Sequence, residues 1–230
     1  MCKNEHQHNI PVESIGFLRS HKNRKDLTYI ATGADSTVYK WSRPNQSDKV
    51  VKYYYHHGKT NGTDLRIYTD LLNKCSKKIQ EKPLDSPIGP IHFVIVPVET
   101  VTSVVLPDHG ECAVSVSPFI DGFRVQQFAD KNWDWSNIVS GYTDHVVKNN
   151  MLNFVKNWGN ESFKNIVFER LSKLNQTLKK VCGSQNAGCD EINTKLSYQK
   201  NQGYRFNLTD IALSVTLLVA DKKFAQKYYH

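Results

Sequence analysis

Between Leu27 and Tyr55 the apolar and aromatic residues fall into short runs separated by turn-forming residues. The runs Leu27 to Ala31, Thr37 to Trp41 and Lys49 to Tyr55 are rich in β-branched and aromatic side chains, and Arg43-Pro44-Asn45-Gln46-Ser47-Asp48 has a turn composition. This pattern predicts three consecutive antiparallel strands. The spacing then changes: Leu65, Tyr68, Leu71, Leu72 and Cys75 recur at three- and four-residue intervals, with Thr63 available as a cap and Pro83 closing the region. That spacing predicts one helix. Two more β runs follow, Phe93 to Val105, in which Pro97 is a place for a bend, and Cys112 to Ser117. Pro107-Asp108-His109-Gly110 joins them as a turn. The expected order is β-β-β-α-β-β.

Beyond Asp121-Gly122 helical spacing dominates. One helix is expected near Asp144 to Trp158. A longer one, Glu161 to Val181, places Phe163, Val167, Leu171, Leu174, Leu178 and Val181 on a single stripe and ends at Cys182-Gly183. Trp133 and Trp135 are expected to pack between helices. Thr194 to Tyr198 and Tyr204 to Leu208 flank Lys200-Asn201-Gln202-Gly203, the composition of a hairpin, and a last helix is expected from about Leu213 to Tyr228. No internal repeat is present. The fold class is therefore α+β, with an N-terminal extension (1–26), a β-rich part with one helix (27–120) and a mainly helical part (121–230) carrying a hairpin at 193–209.

The 230 residues include 30 Lys+Arg and 22 Asp+Glu, a formal net charge of +8, which favours anionic partners without choosing among them. The longest uncharged apolar run, Ile211 to Ala220, falls short of the roughly 18 residues a membrane helix needs. The polar start, Met1-Cys2-Lys3-Asn4-Glu5-His6-Gln7-His8, has no apolar signal region, so a cytoplasmic protein with no membrane partner is expected. Cys2, Cys75, Cys112, Cys182 and Cys189 are odd in number and form no Cys-x-x-Cys pair, which argues against a disulfide framework or structural zinc. Five Asn-x-Ser/Thr sequons, at Asn45, Asn61, Asn160, Asn175 and Asn207, are expected to be unmodified in that compartment.

Three places carry candidate chemistry. Thr32-Gly33-Ala34-Asp35-Ser36-Thr37-Val38-Tyr39 puts a glycine and small polar residues in a tight β-β connection, which can offer N–H groups to phosphate or be an ordinary hairpin. Lys52 lies inside the apolar strand Val50-Val51-Lys52-Tyr53-Tyr54 and needs an anionic partner if it faces inward; alternation would point it to solvent. Asp210 and Asn193 stand at the two open ends of the expected hairpin, where their oxygens could hold a hard cation or serve as turn residues.

Taken in order, a Gly-containing loop, a strand lysine, a helix with an acidic residue, two strands, an apolar segment ending in glycine, a long helix, and Asn and Asp flanking a hairpin resemble the protein kinase-like superfamily. The resemblance runs from about Tyr29 to Ala212. It implies a two-lobed fold with ATP and Mg²⁺ between the lobes. Gly33, Ser36 and Val38 would form a shortened nucleotide-covering loop, and Lys52 would contact the α/β-phosphates. Asp70 would be the acidic partner of Lys52, with Asp64 as the competing choice. Val116-Ser117-Pro118-Phe119-Ile120-Asp121-Gly122 would be the hinge, where Ser117 and Phe119 meet adenine through backbone groups. Asn193 and Asp210 would hold the metal, Asp210 within Asp-Ile-Ala in place of Asp-Phe-Gly.

Two departures stand beside these matches. The position of the usual catalytic aspartate is Gly188, which leaves Asp190 either as the candidate base or as a turn residue before the strand. The twenty residues after Asp210 are expected to supply one helix and no peptide-substrate platform. The expected function is an ATP- and Mg²⁺-binding kinase-like protein that transfers a phosphoryl group to an acceptor the sequence does not name. The alternative is a pseudokinase acting as a nucleotide-sensing or partner-binding scaffold. A third reading, nucleic-acid binding, would rest on the net charge and on Tyr53-Tyr54-Tyr55-His56-His57, but the sequence has no basic stripe with interleaved aromatics.

Overall fold

The computed structural model describes residues 25–33, 36–54, 62–79, 82–106, 110–125, 139, 141–189 and 194–209. The chain is α+β, with three helices and two sheets among the described residues. It divides into two compact units. One takes the described residues up to Asp70 together with Pro97–Phe119; the other takes Leu71–Val96 together with the described residues from Ile120 onward.

The first unit is built on a five-stranded antiparallel sheet. Its strands are β1 (Leu27–Thr32), β2 (Thr37–Trp41), β3 (Lys49–Tyr54), β5 (Thr100–Leu106) and β6 (Gly110–Pro118), in the spatial order β1-β2-β3-β6-β5. One face is apolar: Trp41, Val51, Tyr53, Val104, Cys112, Val114 and Val116 form a buried cluster. Tyr29, Tyr39 and Tyr53 meet edge to face along it, at centroid distances of 6.0 and 5.7 Å. The register of β1 against β2 shifts between Tyr29 and Ala31. This bulge reverses side-chain parity, so Leu27 and Tyr29 stand over the apolar cluster while Ala31 is delivered to the opposite face.

Helix α1 (Gly62–Lys78) follows β3, as its spacing predicts, and buries Leu65, Tyr68, Leu71, Leu72 and Cys75. The expected single strand from Phe93 to Val105 is instead two strands in two different sheets. Pro97 has no N–H to give a ladder, so the first sheet resumes only at Thr100, while β4 (Ile91–Ile95) pairs elsewhere. β4 buries Ile91, Phe93 and Ile95 in strict alternation and runs parallel to β9 (Gly203–Leu208).

The second unit contains a four-stranded sheet in the order β4-β9-β8-β7, where β7 is Phe123–Arg124 and β8 is Thr194–Gln199. The β8-β9 hairpin forms where its composition predicts, with Asn201 at φ 68 and Gly203 at φ 82 in the turn. Helix α2 (His145–Trp158) starts at the Asp144 cap, and α3 (Glu161–Cys182) starts at the Asn160 cap. Gly183, at φ 71, ends α3 in the left-handed conformation and returns its N–H to Lys179 O at 2.9 Å. The α3 stripe is buried as its spacing predicts, except that Cys182 takes the last core position and Val181 is half-buried. Phe154 of α2 is the hub of an aromatic core, with ring contacts to Trp158, Phe163, Tyr204 and Phe206 at 5.3 to 5.8 Å. The segment with Trp133 and Trp135 and the expected last helix lie outside the described residues.

Candidate functional site

In the first unit, strand pairing sets Lys52 in one rung of the sheet. Val38 is its direct partner on β2 and Ser115 its direct partner on β6; Ala31 pairs with Val38 and Val101 with Ser115. Directly opposed residues project to the same side. The row Ala31, Val38, Lys52, Ser115, Val101 therefore shares the face away from the apolar cluster, and the next rung adds Lys40, Val50 and Ser117. Lys52 and Val38 are half-buried, whereas Ser115 is buried. The lysine thus lies neither in the apolar core nor on a bare solvent face. Ser115 is a member of the row that the sequence reading missed, and the alternation of β6 together with its pairing to β3 is the signal that finds it.

The loop from Gly33 to Ser36 is closed by its own backbone, Gly33 N–H donating to Ser36 O at 2.8 Å. The Thr32 and Thr37 hydroxyls meet at 3.1 Å across its mouth, and Tyr29 OH donates to Thr32 Oγ1 at 3.3 Å. A Cβ on Gly33 would come no nearer than 3.8 Å to Ser36 O, so the backbone does not demand glycine there. Asp70 is exposed on α1, and the side chain of Asp64 lies outside the described residues.

The hinge candidates are held at several points. Phe119 N–H donates to Asp48 O at 3.0 Å, and Lys40 Nζ lies 4.5 Å from the centre of the Phe119 ring while pairing with Asp48 at 2.7 Å. Ser117 is half-buried, on the same face as Lys52. In the second unit, Lys195 Nζ donates to Ile120 O at 3.2 Å. A Cβ on Gly122 would collide with Leu196 O, so this glycine is required for β8 to pass. Burial, then the Arg124 cation, holds the Lys195 ammonium below its ordinary pKa, with Asp121 acting in the other direction. Burial and the Asp121 charge push the Tyr142 phenol up to about 12.

The candidates Asp190, Asn193 and Asp210 lie outside the described residues. The backbone immediately before Asp190 is described, and it is clamped. Asn175 on α3 donates from Nδ2 to Cys189 O at 3.0 Å and accepts from Cys189 N–H at 2.7 Å. Gly188 packs against the same amide, an added Cβ lying 3.5 Å from Asn175 Oδ1. Nothing in the apolar spacing of α3 announced this role for Asn175, because the clamp spans fourteen residues and a loop.

Four of the five sequon asparagines have structural roles. Asn45 adopts φ 60 in the β2-β3 turn, and Asn160 caps α3. Asn175 forms the clamp, and the Asn207 amide is buried against Lys195 O, Ser197 Oγ and Arg205 O. Asn61 lies outside the described residues. Cys75, Cys112, Cys182 and Cys189 are buried thiols in no disulfide, and burial pushes Cys112 up to about 12, which makes it a poor nucleophile. Tyr53 and Tyr54 are buried and so do not offer faces for base stacking. Among the described residues no helix is long and apolar enough to cross a membrane, and no group of three or more His, Cys, Asp or Glu side chains gathers as a metal site. No protein-family model matches the chain, and no curated protein matches it in sequence.

Proposed function

We propose that this is a kinase-like nucleotide-binding protein in which Lys52 meets the phosphates of ATP on the face of the five-stranded sheet away from its apolar cluster. The observation that carries the reading is the rung Val38, Lys52, Ser115: a half-buried lysine paired with an apolar and a small hydroxyl residue, on the face away from the apolar cluster. A lysine ammonium can offset the charge of polyphosphate, and polyphosphate is the ligand the resemblance implies. Three strands, a helix and two further strands of the same sheet are the order the resemblance needs; the five-stranded sheet and α1 supply these elements in that order, with β4 of the other sheet interposed between α1 and β5.

Phosphoryl transfer asks the protein mainly to hold the nucleotide and offset its charge. In this proposal Lys52 offsets phosphate charge, Val38 and Val50 provide apolar surface beside it, and Ser117 and Phe119 belong to the segment that meets the base. Asn193 and Asp210 are the proposed oxygen donors for Mg²⁺, which when bound would neutralise part of the phosphate charge. Asp190 is the proposed base, and the Asn175 clamp fixes the peptide next to it.

A specific set of hydrogen bonds favours the second reading, a pseudokinase scaffold. Gly33 N–H and Phe119 N–H, two backbone donors the first reading would offer to nucleotide, are already donated to Ser36 O and Asp48 O. Gly188 replaces the usual base. Release of ADP from ATP by wild type and by Asp210→Asn separates the two. Turnover that the substitution abolishes, with the melting temperature unchanged, supports transfer. Binding of ATP without turnover in either protein supports the scaffold, and equal turnover in both contradicts the role given to Asp210.

A further inference from the structure

We propose that Lys40 and Asp48 are positioning residues for the base of the nucleotide: they hold Phe119 at the end of β6 and act on the base, not on the phosphates. This inference rests on the nucleotide reading above. Asp48 lies one residue before β3 and Phe119 one residue after β6, and the ladder that sets Val50 against Ser117 and Lys49 against Pro118 brings the two directly opposite each other. Phe119 N–H donates to Asp48 O at 3.0 Å, so the pairing continues past the strands. Lys40 stands across from Val50 on β2, diagonal to Asp48. Lys52, Val50 and Asp48 are alternate positions of one strand line and share a face, with Lys52 and Asp48 about 13 Å apart along it. One nucleoside triphosphate can bridge that span, phosphates at one end and base at the other.

Asp48 grips Phe119 twice. Its carbonyl takes the Phe119 N–H, and its carboxylate holds Lys40 Nζ at 2.7 Å, where the ammonium lies 4.5 Å from the centre of the Phe119 ring. Pro118 has no N–H to offer a ligand, and that of Phe119 is engaged. Phe119 therefore serves a base by its ring and its place rather than by an N–H, and both are set by Lys40 and Asp48. The Lys40 ammonium, committed to the Asp48 carboxylate, stands at the end of the face remote from Lys52. Lys49, the next residue, supplies an internal comparison. It faces the other side of the sheet with Trp41 and pairs with Glu99 at 2.7 Å, an ion pair of similar exposure at the same end of the sheet.

ATP and inorganic tripolyphosphate are the probes, titrated calorimetrically into the full chain as wild type, Lys40→Met, Lys40→Arg, Asp48→Asn, Lys49→Met and Lys52→Ala. Lys40→Met and Asp48→Asn should each weaken ATP binding about threefold to fivefold and leave the affinity for tripolyphosphate, which has no base, as in wild type. Asp48→Asn keeps the carbonyl that accepts from Phe119, so its loss reads the ion pair. Lys40→Arg, which keeps a cation between carboxylate and ring, should bind ATP within about twofold of wild type. Lys49→Met should change neither affinity, and Lys52→Ala should lose both. Unchanged ATP affinity in Lys40→Met or Asp48→Asn, with both probes still lost in Lys52→Ala, would overturn this inference and leave the nucleotide reading standing. Equal weakening of both probes in Lys40→Met would put Lys40 on phosphate, and weaker ATP binding by Lys49→Met would reduce the effect to a loosened sheet end; either overturns the inference, as would ATP binding by Lys40→Arg as weak as that of Lys40→Met, or tripolyphosphate that does not bind wild type. No ATP binding by wild type, or undiminished binding by Lys52→Ala, would end the nucleotide reading itself and this inference with it.

Discussion

Ser115 stands directly across from Lys52 on the neighbouring strand, buried where the lysine is half-buried and projecting from the same face. A small residue there leaves room beside the ammonium. Ser115→Leu should reduce ATP affinity by about tenfold or more and cost about 1–3 kcal/mol of stability through overpacking. Ser115→Ala should leave ATP affinity within about twofold, since it removes bulk without adding any. Calorimetric titration of both variants with ATP checks the pair.

The Asn175 clamp predicts a stability effect of its own. Asn175→Ala strips the Cys189 N–H and C=O of partners that reach them at 2.7 and 3.0 Å. Each backbone group left unsatisfied costs about 1–3 kcal/mol. Denaturant unfolding should show that loss as a lower midpoint with an unchanged slope. An unchanged midpoint would mean that the loop before Asp190 is held by other contacts.

Gly122 and Gly203 should resist replacement for different reasons. At Gly122 an added methyl collides with Leu196 backbone, while at Gly203 it meets Pro90 O at 2.7 Å on a residue already at φ 82. Gly122→Ala and Gly203→Ala should each cost about 3 kcal/mol or more. Gly33→Ala, with no close contact among the described residues and no left-handed backbone, should cost much less. Melting temperatures of the three variants test the order.

Acid should weaken the fold through identifiable carboxylates. The hydrogen bond from Lys200 holds Asp144 below its ordinary value of 3.8, with further help from the Val147 and Val146 N–H groups at the start of α2. Asp48 is lowered mainly by Lys40, and Glu169 by Lys173. A carboxyl lowered by folding contributes its full stabilisation above its unfolded value and loses it as pH falls through the folded one. The melting temperature should therefore decline below a pH of about 4. Asp144→Asn, which keeps the capping oxygen but removes the charge, should flatten part of that decline.

Much of the fold was legible because periodicity and punctuation reported it directly. The three opening strands, α1, both long helices and the β8-β9 hairpin follow from alternation, helical stripes and turn residues. The fate of β4 was not legible. Its alternation marks it as a strand, but its partner is β9, more than a hundred residues away in sequence, and a parallel pairing leaves no local signature. Pro97 marked the interruption without revealing that the chain changes sheets there.

For the candidate site, the sequence located Lys52 and Val38 but not the rung that joins them to Ser115, because register depends on pairing rather than composition. The β1 bulge that brings Ala31 into that rung is likewise a matter of pairing. Asn175 and Asn207 read as sequons, and only tertiary hydrogen bonds reveal them as a loop clamp and a buried sheet amide. Lys195 was hidden in a hairpin strand, since the cation opposite it arrives from Arg124, far upstream in the chain.

The most direct measurement of the central claim is calorimetric titration of ATP, with and without Mg²⁺, into wild type, Lys52→Ala and Asp210→Asn. Saturable binding by wild type, lost in Lys52→Ala and no longer strengthened by Mg²⁺ in Asp210→Asn, is the result this account predicts. Binding by Lys52→Ala equal to that of wild type, or no binding by wild type at millimolar ATP, would contradict it.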